Sequence, residues 1–233
     1  MNETQFKFWD RILGWSIFGI ALLTFGITVE PTASFWDASE YIATSAKLQV
    51  GHPPGAPFYQ MMGAFFAVFA NGPEQIALMV NLMSVFSSAF TILFLFWTLT
   101  LLLKKMPGFN TLETSTDAIG LFGSAAVGAL AFCFSDSFWF NAVEAEVYAM
   151  ATCILSLLFW LSLRWEQEMN TPRGDRWLLL ISFIIGLSFG VHFMGLLTIP
   201  AIGMLYYFKN TKTVTLKGFL IANIVSVAVL LFI

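Results

Sequence analysis

The sequence predicts an all-α polytopic membrane protein with about seven transmembrane helices. Hydrophobic residues make up 58% of the 233 positions. Only 11% carry a formal charge, against about 25% in an ordinary soluble domain, and the mean hydropathy is +0.78. The chain also contains long stretches free of Asp, Glu, Lys and Arg: 12–29, 48–73, 75–103, 118–135, 147–163, 177–208 and 218–233. A spanning helix needs roughly 20 apolar residues, so most of these qualify. The same numbers exclude a soluble globular enzyme and a disordered chain. A net charge of −3 without a basic cluster excludes a nucleic-acid binder.

The first stretch, 12–29, is long enough to span and is stopped by Pro31 just after Glu30, since proline cannot continue a helix. The second opens with Gly51-His52-Pro53-Pro54-Gly55, which leaves only about 56–73 for a helix, expected to lie along the outer surface. Stretches 75–103, 118–135 and 147–163 each predict one span. Stretch 177–208 is too long for one helix and carries Gly186, Gly190, His192 and Pro200, so two helices joined near His192 are expected. The last stretch runs to Ile233 without a polar cap, the pattern expected of the N-terminal part of a longer protein. Cys133 and Cys153 sit in apolar runs without a CxxC spacing and read as small hydrophobic residues.

Cytoplasmic loops collect Lys and Arg. With 56–73 on the surface, the clusters Lys7/Arg11, Lys104/Lys105, Arg164/Arg173/Arg176 and Lys209/Lys212/Lys217 face one side, which puts the N-terminus in the cytoplasm. The other side then holds Glu30, Asp37, Glu40, Glu74, Asp136, Glu144 and Glu146 against Lys47 alone. Acids gathered near a membrane edge without basic partners are costly and often functional. A carboxylate desolvated there has a raised pKa and can serve as a general base.

In the first outer loop, Ser34 is the expected N-cap, Asp37 lies three residues on, and a helix over about 35–49 is expected to end at Gly51. Asp37, Glu40 and Tyr41 share a face by spacing, while Ala38, Ile42 and Ala46 form the face expected to pack on the bundle. His52-Pro53-Pro54-Gly55 reads as a rigid turn, with Pro54 suited to start the next helix. In the second outer segment, 134–148, Asn141, Glu144 and Tyr148 fall on one helical face with Glu146 pointing elsewhere. His192 falls at the outer turn of the 177–208 hairpin. Trp9, Trp15, Trp36, Trp139, Trp165 and Trp177 read as interface anchors.

The run Pro31-Thr32-x-Ser34-Phe35-Trp36-Asp37-x-x-Glu40, followed by Lys47-Leu48-Gln49-Val50-Gly51-His52-Pro53-Pro54-Gly55-Ala56-Pro57, resembles the first outer loop of protein O-mannosyltransferases. It is most similar to a large bacterial family of O-mannosyltransferase-like membrane proteins within the GT-C glycosyltransferase superfamily. Ala145-Glu146-Val147-Tyr148 and the segment around His192 extend the likeness. The resemblance implies one GT-C module over 1–233, with surface helices at about 35–49 and 56–73 in a first outer loop of 30–77. It implies a polyprenyl-phosphate donor of a mannose-like hexose, and a hydroxyl acceptor on an exported protein or glycan. Catalysis would be inverting, in a bacterial inner membrane with the site on the periplasmic side. Asp37 and Glu40 become the candidate catalytic pair, with Glu30, Tyr41, His52, Asn141, Glu144, Glu146, Tyr148 and His192 as candidate substrate-binding residues. Membrane lipids are expected partners and nucleic acid is not.

No metal ligand is assigned. Some members of the wider class use divalent cations, but the acids here lack the spacing of a strong metal motif. Arginine, the usual phosphate clamp, is absent from every outer segment, so a clamp is expected beyond Ile233. The competing classes are a non-catalytic lipid-binding scaffold and a transporter-like module. The second is disfavoured because the acids lie outside the spans and no inverted repeat is visible.

Overall fold

The computed structural model describes residues 1–232. Among these the chain is all helical: α1 (Glu3–Ile27), α2 (Ala38–Lys47), α3 (Pro57–Ala67), α4 (Ile76–Leu103), α5 (Ser115–Cys133), α6 (Asp136–Ala142), α7 (Val147–Glu168), α8 (Gly174–Ser188), α9 (Thr198–Asn210) and α10 (Leu216–Phe232). Short 3-10 turns precede α4 at Pro73–Gln75 and α9 at Phe193–Leu197.

Local chemistry sets the helix starts. Asn2 and Gln5 form a reciprocal capping box at α1, and Thr114 with Asp117 does the same at α5, so two orphan N–H groups are satisfied at each start. Four helices are long and apolar enough to cross a membrane: α1, α4 with the turn before it, α5 and α7. The other three expected spans are shorter, at 15 residues in α8, 13 in α9 and 17 in α10. The hairpin around His192 consumes the residues between Phe189 and Leu197, which shortens α8 and α9. Ile233, the end of the last expected span, lies outside the described residues.

The central helix is α4, on which α1, α5 and α7 all pack. Its residues Val85, Ala89, Ile92 and Phe96 close one core with Ile17, Ala21 and Phe25 of α1 and Ala125 and Ala129 of α5. On its other side Val80 and Met83 join Tyr59, Met150, Ile154, Leu158, Trp165 and Ile181. Trp165 is thus only 3% exposed and is a core residue, not an interface anchor. Both cysteines are free, Cys133 being buried in the first core.

The outer elements depart from several expectations. Helix α2 begins at Ala38, not near 35, because Trp36 turns through φ 59° just before it. Asp37 takes the N-cap position, and Ser34 is used elsewhere. The helix ends at Leu48 in the left-handed conformation, three residues before Gly51. Its buried face is Ala38, Tyr41, Ile42, Thr44 and Ser45, with Ala46 exposed. Pro54 lies in a cis Pro53–Pro54 turn, and Pro57 instead occupies the first turn of α3. That helix has 11 residues, about 16 Å at 1.5 Å per residue, against about 30 Å of hydrocarbon. It lies close on α2 at Gly63, where a Cβ would sit 2.4 Å from Ser45 Oγ.

Candidate functional site

Three segments distant in sequence are tied together at one end of the bundle. The Glu30 N–H donates to the Val143 carbonyl at 2.9 Å. Ser34 Oγ donates to Glu144 Oε2 at 2.5 Å, and the N-cap position of α2 falls to Asp37. From α4, Asn81 Nδ2 donates to the carbonyls of Glu30 at 2.6 Å and Thr32 at 2.9 Å. The third tie is to the α8 hairpin, where the Gly190 carbonyl accepts from the N–H groups of Phe58 at 2.7 Å and Tyr59 at 3.1 Å. These are orphan donors of the α3 N-terminus, satisfied across the fold. A side chain at 190 would clash, its Cβ falling 2.6 Å from Phe58 Cβ.

On this frame His52 bridges two carboxylates. Its N–H donates to Glu40 Oε1 at 2.6 Å, its Nδ1 lies 3.1 Å from Glu40 Oε2, and its Nε2 lies 3.9 Å from Asp37 Oδ2. The side-chain bond to Glu40 is the main reason the His52 pKa is raised, and the backbone and ring donors of His52 hold Glu40 low. Tyr41 lies beneath, its ring 5.8 Å from His52 and edge-on to Tyr59 at 5.1 Å. Burial pushes its phenol up to about 12, with the charges of Glu146, Asp37 and Glu40 adding to the shift.

Behind the exposed cluster lie two buried acids, Glu144 at 3% exposure and Glu146 at 7%. Burial raises both pKa values. For Glu146 the value reaches about 7, with the Asp37 and Glu144 charges adding to burial and the backbone N–H groups of Asp37 and Val147 opposing it. Glu146 therefore faces Asp37, although helical spacing points it elsewhere. The reason is that 134–148 is not one helix: α6 ends at Ala142 and α7 starts at Val147. The expected shared face of Asn141, Glu144 and Tyr148 does not form.

The Glu146 shift fixes a pH dependence. Its folded pKa, about 7, exceeds the ordinary 4.5, so between those values the native state holds a proton that the unfolded chain releases. Stability from this group is complete below pH 4.5 and is lost as pH rises through 7, a change of about 3 kcal/mol. Glu146→Gln is expected to remove that component. Melting curves of both proteins in detergent across this range measure it.

Of the other predicted residues, Glu30 turns its carboxylate on its own loop, accepting from the Thr32 N–H at 3.1 Å and Thr32 Oγ1 at 2.7 Å. Asn141 bonds back to the Ser137 carbonyl at 2.9 Å and, among the described residues, makes no side-chain hydrogen bond to Asp37, Glu40 or His52. Tyr148 and His192 pair with each other, ring centroids 5.5 Å apart, and His192 Nδ1 accepts from the Met194 N–H. Sequence reasoning missed Asn81 and Gly190. For Asn81 a signal existed, an amide inside an otherwise apolar span.

One ligand atom each from Asp37, Glu40 and His52 lie within 4.8 Å of one another. That spread admits a divalent cation, with water completing its shell. Both nitrogens of the imidazole already face carboxylates, however, so a cation would have to displace His52 from one of them.

Comparison with known proteins gives a family. The model of the protein O-mannosyl-transferase TMEM260 N-terminal domain matches residues 37–215. The mouse protein O-mannosyl-transferase TMEM260 is 26% identical over 177 residues, covering 74% of this chain and 22% of the mouse protein. The Dictyostelium discoideum protein O-mannosyl-transferase tmem260 is 23% identical over 156 residues, 66% of this chain and 17% of that protein. The chain thus spans about a fifth of the length of these two eukaryotic relatives. No solved structure matches. The matched region opens on Asp37 and takes in Glu40, His52, Glu144, Glu146 and His192, so this all-α membrane protein belongs to the protein O-mannosyl-transferase TMEM260 N-terminal domain family.

Proposed function

We propose that the chain is the N-terminal membrane module of an inverting GT-C glycosyltransferase. It moves a mannose-like hexose from a polyprenyl-phosphate donor to a hydroxyl of an exported protein or glycan. The observation that carries this proposal is the Asp37–His52–Glu40 bridge set against buried Glu146. The names of the two relatives and the first-loop motif support the reaction class. The acceptor oxygen attacks the anomeric carbon, the bond from that carbon to the phosphate oxygen breaks, and polyprenyl phosphate departs with the electron pair. Asp37 takes the acceptor proton. It is exposed enough to meet a hydroxyl, its side chain being 57% accessible.

Glu40 acts through His52 as a positioning residue. The Glu40 bond raises the His52 pKa, which favours positive charge on a ring whose Nε2 lies 3.9 Å from Asp37. A departing phosphate also needs stabilising donors, which Tyr148, His192 and Lys47 lie on the right side to contribute. The lysine and arginine distribution supports a cytoplasmic N-terminus and an extracytoplasmic site, periplasmic if the host is a bacterium. The short helices α8, α9 and α10 complete the seven-span module, and α2 and α3 lie at the outer surface.

The test is incubation of the purified protein with polyprenyl-phosphate carrying radiolabelled mannose and a hydroxyl-rich acceptor polypeptide. Label on the acceptor supports the proposal. Saturable donor binding without transfer would make the chain a lipid-sugar binding module, and absence of binding would end the glycosyltransferase assignment.

A further inference from the structure

The opposite end of the bundle carries a second, unlike site. Helices α1 and α7 each pack along α4 with little contact between themselves. The cleft between them has a cavity of about 450 Å³. Its mouth holds four cations, Lys7, Arg11, Lys104 and Arg164, and two acids, Glu3 and Asp10. Glu3 is taken by Lys104 at 2.9 Å and Lys7 at 3.6 Å. Asp10 accepts from Thr100 Oγ1 at 2.8 Å. Arg11 and Arg164 form no ion pair among the described residues. Arg164 bonds Gln167 and lies over the Trp177 ring. Neither guanidinium has a carboxylate within ion-pair distance, although the Asp10 charge reaches both, so together they keep planar, multi-donor capacity for an anion such as phosphate.

Inward from the mouth the wall turns aromatic. Trp97 lies 5.4 Å from Trp160 and 6.2 Å from Trp15. Phe94 continues the wall against Trp160 at 5.7 Å, and Phe90 follows at 6.1 Å from Phe94. Positions 90, 94 and 97 share one face of α4, so this wall runs about 10 Å from the mouth along the helix axis. Trp15, half exposed, opens it sideways.

We infer that this cleft binds a phosphate-bearing membrane lipid, its head group on Arg11 and Arg164 and its chain along the Trp15–Trp97–Trp160 wall. A soluble phosphate would use the mouth and leave the wall idle. The division into a cationic head and an aromatic, laterally open groove fits an amphiphile. The site lies at the far end of the bundle from Asp37, so it does not depend on the glycosyltransferase proposal.

Tryptophan quenching tests this. The full chain is reconstituted in phosphatidylcholine vesicles containing either dibrominated phosphatidylglycerol or dibrominated phosphatidylcholine. The anionic lipid is expected to quench at lower mole fraction, and the quenching is expected to fall on Trp97→Phe with Trp160→Phe. Arg11→Gln and Arg164→Gln are each expected to weaken the anionic-lipid response about tenfold, the size of one lost charge-assisted hydrogen bond. Arg11→Lys and Arg164→Lys keep the charge and report on folding, with melting temperature as the check. Lys212→Gln, an exposed charge outside the cleft, is expected to change nothing. Equal quenching by the two lipids, or indifference to both arginines, overturns the inference. So does displacement by inorganic phosphate at matched concentration, which would make the ligand a soluble one.

Discussion

Asp37→Asn is expected to reduce mannosyl transfer by about 10²–10⁴-fold, the range a positioned general base contributes. The replacement keeps the size and the oxygen acceptor of the side chain but cannot take a proton. The surroundings argue that little else changes. The Asp37 carbonyl still receives the Tyr41 N–H that opens α2 at 2.9 Å. The side chain makes no capping bond that would be lost, and His52 keeps its two contacts with Glu40. Donor binding should therefore persist while turnover falls. Single-turnover transfer measured beside equilibrium donor binding separates the two. Activity within a few-fold of the parent would remove Asp37 from the base role and move attention to Glu146, whose pKa of about 7 suits proton transfer at neutral pH.

The second large effect is expected from Asn81→Leu, far from any reacting atom. Asn81 is fully buried, and its Nδ2 is shared by the Glu30 and Thr32 carbonyls. Leucine fills similar space and leaves both carbonyls without that donor. Thr32 is exposed and Glu30 half-buried, so water replaces part of what is lost and each bond is worth about 0.5–1.5 kcal/mol, partly offset because Asn81 Oδ1 has no partner among the described residues. A net loss of about 1–2 kcal/mol is expected, concentrated in the first outer loop. Limited proteolysis around the exposed pair Phe35–Trp36 reads it directly, and the bundle should resist cleavage as before. Unchanged protection would show that the ties to Val143 and Glu144 hold the loop alone.

The bundle was readable because its signal is redundant. Each of α4 and α7 holds an apolar window long enough to betray a span, and misplacing a boundary by a few residues changes nothing essential. The nearness of Asp37 and Glu40 was readable from their spacing, but Asp37 caps α2 instead of lying in it, Tyr41 turns to the buried face, and His52 is what joins the two acids. What was hidden depended on contacts remote in sequence. Ser34 has the composition of a cap, but its hydroxyl is turned to donate to Glu144, remote in sequence, and helix α2 starts only at Ala38. Leu48 carries no turn signature, yet it adopts the left-handed conformation that Gly51 seemed to reserve. Glu146 reads as misdirected under a helical count across 134–148. The chain breaks at 143–146, and that break brings it to face Asp37. Asn141 shows the converse, a polar residue with helical spacing whose amide is consumed one turn back.

The capping of α3 by the Gly190 carbonyl has a consequence for the order in which the protein matures during synthesis. Residues 30–59 leave the ribosome before the groups that tie them to the bundle. Asn81 arrives first, then Val143 and Glu144, and last the hairpin that carries Gly190. The Asp37–His52–Glu40 bridge can close within its own segment, but the frame that holds it is finished last. A nascent chain halted before α8 would have the helices up to α7, while the N-terminus of α3 would still lack the carbonyl that caps it.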